Sequence, residues 1–503
     1  MKQLSFALMT AGALAAGASV AAQQPAAAGK EEKKDMALVG LHDLQARSVY
    51  QPTVHRQGGR YILYLGHHGG EKMNPLTGQM EKNGTSIVDV TNPRQPRYLA
   101  HIPGEIGSGE QGGAQMSRVC NGSDLPNADK SKVYLLRSFG TTGHEIWNVT
   151  DPAKPVKVLT LLEGLRNTHK SEWNCEDGLA LVVSGPKDWR TRRMTKVYDL
   201  SNPEKPVFIR DFGLPGQQPG HTMMPIPTEL HGPIDLGPKA NRIYFGYGTG
   251  RAGVVQIVDR EKLVNGPKEP TDENLLYPQI TRIDLPPDAG AHTALPILGM
   301  TLPEFAKQKL PPNAPVPGQG HDHADSTPLG TPQMHRDFLA VVSESLEAGC
   351  EEPRQMMRMI DITYETRPIG ASTFTVPEAS GNFCDRGGRF GAHSVQESRT
   401  PIYYGRVLFL TFFNAGVRAI DIRDPFNLKE IGYYIPATTA NTEPRCLESD
   451  PKNCKVVIQS NNVEVDDRGY VYVGDRANTG LHILELSGAA RRVANYPAGQ
   501  STN

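Results

Sequence analysis

Four histidines make the first case for chemistry. They stand in "NTHKSEW" (His169), "PGHTMMP" (His221), "GAHTALP" (His292) and "RFGAHSVQE" (His393), each just ahead of a run that reads as a β-strand. Imidazoles at equivalent places in repeated units can converge on one ion. Several of them without cysteine suit Fe, Cu or Zn better than Ca. An acid follows three of them at short range: Glu172 after His169, Glu229 after His221 and Glu397 after His393. Such carboxylates can accept the far ring N–H and so fix the tautomer that binds. Gln115 ("GGAQMSRV") holds the equivalent place in a further unit, Asn461 or Asn462 ("QSNNVEV") in another, and Gln51 ("YQPTVH") in the first.

A second group lies in turns. "GHHGG" (His67, His68), "TTGHE" (His144), "PKDWRTRR" (Arg190, Arg193), "GTGRAG" (Arg251) and "DRANTG" (Arg476) are all Gly- or polar-bounded. Of these, Arg190, Arg193, Arg251, His67, His68 and His144 are the candidates for substrate contact, since converging guanidiniums suit a carboxylate or phosphate. Solvated loop charge is the plainer alternative for any one of them. "GHDHAD" (His321, His323) lies among Pro and Gly and reads as exposed, and "ELHGP" (His231) reads as a hairpin turn. There is no phosphate-cradling Gly loop, H-E-x-x-H or G-x-S-x-G.

What must position these residues is a repeat. A short β-branched run ending in an acid or amide recurs as "SIVDVTNP", "EIWNVTDP", "KVYDLSNP", "VQIVDRE", "RMIDITYE", "RAIDIRDP" and "HILELSG". The keyed positions are Asp89, Asn148, Asp199, Asp259, Asp361, Asp421 and Glu485, at intervals of 59, 51, 60, 102, 60 and 64 residues. Gly-bounded apolar strands precede each run and a further strand follows most, as in "RQPRYLAHI". Each unit is therefore four antiparallel strands. One such sheet cannot bury both faces, so seven of them stack radially into an all-β, seven-bladed propeller. The last unit lacks a fourth strand, and "MALVGLHDL" resembles one, so residues 36–44 are expected to complete the final blade. The propeller is placed at 36–495, with a Pro- and His-rich insertion at about 299–335 and a disordered tail at 496–503.

The chain has 503 residues and a net charge of −1, which gives no reason to expect nucleic acid or an anionic membrane as partner. Its 51 glycines and 40 prolines favour short strands and turns over long helices. Lys2, the apolar run Phe6 to Val20 and "SVAAQQ" read as a signal peptide (1–22), followed by a flexible lead-in (23–35) and no second long apolar run. The mature chain is thus expected to be periplasmic or extracellular. Six cysteines suit disulfides there: Cys446 with Cys454 from proximity, Cys120 with Cys175 and Cys350 with Cys384 from the repeat register.

The "IVDVTNPxxP" signature resembles the LVIVD-repeat family of exported bacterial and archaeal propellers. "HTALP", "GGRFGAHSVQE", "FFNAGVRAIDIRDPFNLKEIGYYIP" and "GYVYVGDRANTGLHILEL" resemble a bacterial branch of it. The resemblance spans nearly the whole mature chain and implies a propeller and export, but no particular reaction. By architecture alone, axial histidines in seven blades resemble the design of carotenoid-cleaving oxygenases, whose sequence motifs are different. Two functions follow. One is a metal-dependent enzyme acting on a small anionic or oxygenated molecule, with His169, His221, His292 and His393 as ligands. The other is a non-catalytic propeller that binds a surface protein or glycan.

Overall fold

The computed structural model describes residues 29–302 and 335–494. The stretch read as a signal peptide, the body of the expected insertion and the expected tail lie outside the described residues. The keyed acids and amides explain the repeat. Asp89, Asn148, Asp199, Asp361 and Asp421 each end the third strand of a blade, and each Oδ1 accepts the backbone N–H two residues on, at 2.7–3.0 Å. This Asx turn reverses the chain where the strand stops. Asn92, Asp151, Asn202 and Asp424 repeat the device three residues later. Asp259 instead caps a short helix, Arg260–Asn265.

Between these turns the β-branched runs pair as expected. Blades two to four are Ser117–Asn121 to Val156–Leu162, Glu172–Trp173 to Val207–Phe212, and Leu230–Asp235 to Gln279–Asp284, each a four-stranded antiparallel meander. Blade one runs from Val49–Gln57 to Arg97–Ile102, and an extra strand, Gly109–Ala114, pairs with its second strand. Blade five pairs Thr293–Thr301 with His335–Val342 across the insertion. In blade six the inner segment is irregular. A single bridge, Val395 to Leu410, and the hydrogen bond from His393 N to Thr411 O (2.9 Å) hold it to Val407–Thr411.

The ring closes as the sequence suggested. Met36–His42 is the outer strand of blade seven, in register from Met36 with Leu486 to His42 with Leu481. The preceding residues depart from expectation. Part of the stretch read as a flexible lead-in, Glu32–Lys34, forms an outermost strand on blade six, Glu32 opposite Ile435. Lys429–Ile435 offers a free edge there, and the Glu32 carboxylate meets Arg386 at 2.5 Å while Tyr434 Oη donates to Glu31 (2.9 Å). One chain end therefore clasps two neighbouring blades.

Apolar side chains fill the spaces between sheets, for example Phe338, Met357, Leu410, Phe412 and Ile420 between blades five and six. Innermost strands of neighbouring blades abut around the axis and line it with buried polar residues. All three expected disulfides form: Cys120–Cys175, Cys350–Cys384 and Cys446–Cys454. Among the described residues no helix is long and apolar enough to cross a membrane.

Candidate metal centre on the propeller axis

Four histidines do meet on the axis, with one substitution in the expected set. The ring of His169 packs on that of His231 (centroids 4.4 Å apart), His231 on His292 (3.7 Å) and His292 on His393 (4.5 Å). These are blades three, four, five and six in order. His221 is not in the arc. It lies in the connection ahead of blade four, partly exposed, with Nε2 3.1 Å from Asp272. His231 takes its place, as the second residue of the innermost strand Leu230–Asp235 rather than in a hairpin turn. "HGP" misleads because proline usually ends a strand. Here Pro233 sits opposite Phe245 on a strand whose other edge faces the channel, so no ladder hydrogen bond is lost.

Spacing carried the correct signal. His169 precedes Asp199 by 30 residues, His231 precedes Asp259 by 28, and His393 precedes Asp421 by 28, whereas His221 stands 38 before Asp259.

The imidazoles are neutral. Burial pushes the basicity of His169, His231, His292 and His393 well below the usual histidine range, and nearby Arg193 and Lys170 reinforce it for most of them. Neutrality is what a metal requires of an imidazole. The backbone fixes one tautomer: His393 Nδ1 donates to Asn461 O (2.6 Å), which leaves Nε2 as the lone-pair nitrogen. His292 Nδ1 is engaged by Thr293 Oγ1 at 2.9 Å. Among the described residues, His292 Nε2, His393 Nε2 and His231 Nδ1 are buried with no hydrogen-bond partner.

Two participants had no signature in the sequence. Glu344, in the loop after His335–Val342, brings Oε2 to 3.8 Å from His292 Nε2 and Oε1 to 3.6 Å from His393 Nε2. Burial pushes its carboxyl up to about 7, against the pull of Arg389 and Arg476. His231, His292 and Glu344 each offer a ligand atom, all within 4.8 Å of one another, so the group could hold a metal ion. Tyr50, on the inner strand Val49–Gln57 of blade one, closes the other side, with Oη 3.1 Å from His169 Nε2. That same nitrogen is 2.7 Å from His231 Nε2.

The carboxylates expected to fix ring tautomers do other work. Glu172 and Glu397 lie further along the channel. Arg118 bonds both (2.7 and 2.5 Å), and Lys170 also grips Glu397. Glu229 pairs with Arg192 and Arg193, and Gln115 donates to Glu110 (3.3 Å). They follow the histidines by an odd or longer step, or sit on a different loop, and so face other partners. Below the arc, Gln51, Asn461 and Asn462 form a buried amide layer, Asn462 Nδ2 donating to Gln51 Oε1.

Above the arc a cavity of about 760 Å³ opens, with Tyr50, His169 and Glu344 in its wall. Of the substrate-contact candidates, Arg190, Arg193 and Arg251 line it, and Gln115 does too. Most of its arginines face carboxylates: Arg192 and Arg193 share Glu229, Arg251 pairs with Glu347 and Arg389 with Glu344, while Arg190 bonds the carbonyls of Gly216 and Met223 (2.7 Å each). His67 and His144 do not reach it. His67 is buried inside blade one on Ser86 Oγ (2.7 Å), and His144 bonds Val183 O (3.0 Å) across to blade three. His68, one residue on and therefore on the opposite face of its strand, packs edge-on against Tyr50 at 5.3 Å.

Fold and site together define a class: a seven-bladed propeller whose axis buries an arc of neutral histidines beside a carboxylate able to hold a metal. Neither a protein-family model nor a curated protein matches the chain.

Proposed function

We propose that this is an exported, metal-dependent enzyme of the LVIVD-repeat kind, with one transition-metal ion, Fe, Cu or Zn, on the propeller axis. The reading rests on one observation: His231, His292 and Glu344 each bring a ligand atom within 4.8 Å of the others, and the unpartnered Nε2 atoms of His292 and His393 stand 3.8 and 3.6 Å from Glu344. Unpaired buried polar atoms cost about 1–3 kcal/mol each, and a shared ion would satisfy several together. Two imidazoles and a carboxylate, with a third imidazole alongside, suit borderline metals. Bound there, such an ion supplies Lewis-acid or redox chemistry.

The chain's own residues would do the rest. Asn461 O and Thr293 Oγ1 hold two rings in orientation, while Arg389 and Arg476 keep Glu344 directed at the arc. The amide layer and buried walls exclude water from below, so a substrate enters through the upper cavity. Because the arginines there are already held, by carboxylates or, for Arg190, by backbone carbonyls, a neutral oxygenated molecule fits better than a strongly anionic one. Export is supported by the Lys2, Phe6–Val20 and "SVAAQQ" pattern together with three disulfides.

The test is elemental analysis of protein purified without an affinity tag. Near-stoichiometric transition metal is expected in wild type and in His221→Ala, and its loss in His231→Ala and His292→Ala with circular dichroism unchanged. Metal-free wild type that takes up none of Fe, Cu or Zn would overturn the reading in favour of a binding propeller.

A further inference from the structure

Of the side chains packed on the axis, only some face the cavity. His231, His292 and His393 are at most 1 % exposed and lie behind its wall. Tyr50 and His169 form part of that wall, together with Glu344. Tyr50 is held firmly. Its carbonyl accepts from Asn461 Nδ2 (3.3 Å), and its ring meets His68 at 5.3 Å and His393 at 6.2 Å, both edge-on at 84°. Its hydroxyl therefore stands at the boundary between the cavity and the imidazole arc, and His169 Nε2 fixes one of its contacts at 3.1 Å. A phenol hydroxyl has one proton, and because His169 Nε2 is also met by His231 Nε2 at 2.7 Å, that proton can turn from His169 to an acceptor in the cavity. The nearest space for that partner is the cavity floor.

We propose that Tyr50 is the residue that hydrogen-bonds a small molecule bound from the cavity at the axial metal, through an oxygen or nitrogen acceptor atom of that molecule, with His169 as the residue that positions the phenol. This rests on the metal-centre reading above. It gives His169 a task other than ligation, in keeping with a nitrogen already shared between Tyr50 and His231. The chemical class it selects is a compact ligand with an exposed acceptor, small enough to lie between the phenol and the histidines.

Azide is the probe, because its charge-transfer band with Cu(II) reports directly on an exogenous ligand. Wild type, Tyr50→Phe, His169→Gln and the bystander His221→Ala are each saturated with Cu(II) and titrated with azide. Tyr50→Phe removes one oxygen and keeps the packing, and it should raise the azide dissociation constant about fivefold to tenfold, the worth of one hydrogen bond. His169→Gln should raise it by less, and His221→Ala should leave it unchanged. Equal azide affinity in wild type and Tyr50→Phe would overturn the assignment, and so would a Cu(II)-loaded wild type that binds no azide. Failure of wild type to take up Cu(II) would instead overturn the metal centre itself. If Tyr50→Phe shows an altered near-ultraviolet spectrum, the conservative His169→Gln titration decides.

Discussion

Replacing Glu464 by glutamine should stabilise this protein at alkaline pH and do almost nothing in acid. Glu464 lies on Ser460–Val465, the inner strand of blade seven, with 6 % of its surface exposed. Burial, aided by the Glu397 carboxylate, raises its carboxyl from 4.5 to about 7 in the folded chain. A group raised on folding contributes fully below its unfolded value. That contribution is lost as pH climbs through the folded one, so the loss here runs from about 4.5 to about 7. A displacement of that size is worth roughly 3 kcal/mol at 1.36 kcal/mol per pH unit. Glutamine carries no charge in either state, and its Oε1 can still accept from Val465 N (2.9 Å) and Ser398 N (3.1 Å). Denaturant unfolding at pH 4 and pH 8.5, disulfides intact, measures the effect. The stability difference, variant minus wild type, should grow by about 3 kcal/mol between those two conditions. Parallel profiles for the two proteins would refute the reasoning, because they would mean the carboxyl ionises in the fold as easily as in the open chain.

Glu397 has the opposite sign. Burial would raise it, but Lys170 and Arg118 hold it down to about 2, so it stabilises fully above 4.5 and its contribution fades as pH falls from there through about 2. Glu397→Gln leaves two buried cations short of a partner and should cost about 3–5 kcal/mol at pH 7 in the same unfolding assay. Replacing Cys120 and Cys175 by alanine opens a loop with a sequence separation of 55 residues and should cost about 4 kcal/mol, against about 2.5 kcal/mol for the separation of 8 at Cys446–Cys454. A chain truncated before His42 loses the outer strand of blade seven and the clasp on blade six. It should elute as aggregate rather than monomer in size exclusion, because Gly480–Leu486 is left as a bare edge.

How much of this was legible in the sequence follows from the range of each interaction. The blades were readable because their signal is local: a β-branched strand, then an Asx turn made within three residues at Asp89, Asn148, Asp199, Asp361 or Asp421. Blade count fixes angular position, so the pairing of Cys120 with Cys175 followed from register, and closure by Met36–His42 from a missing fourth strand that "MALVGLHDL" resembles. The histidine arc was three-quarters readable for the same reason. His231 was lost because "ELHGP" reads locally as a hairpin turn, although the interval to Asp259 is the better guide, since it counts the strands between axis and turn. Glu344 was not legible because it lies outside the strand-start position that repeats, and Tyr50, the second residue of Val49–Gln57 as His231 is of Leu230–Asp235, was missed by one residue for Gln51. Glu344 reaches the arc from a loop folded around Glu352, whose Oε1 accepts from Leu346 N and Glu347 N, and tied by Cys350–Cys384 to the segment leading into His393. Its placement is thus the product of a cross-blade tether and a loop conformation, neither of which has a period. The same holds for His67 beside His68: alternation puts one inside the sheet stack and the other toward Tyr50, and only the register of Arg60–Gly69 decides which. Repeats therefore reveal which positions share an axis, while the groups that complete a site between repeats have to be found by their distances.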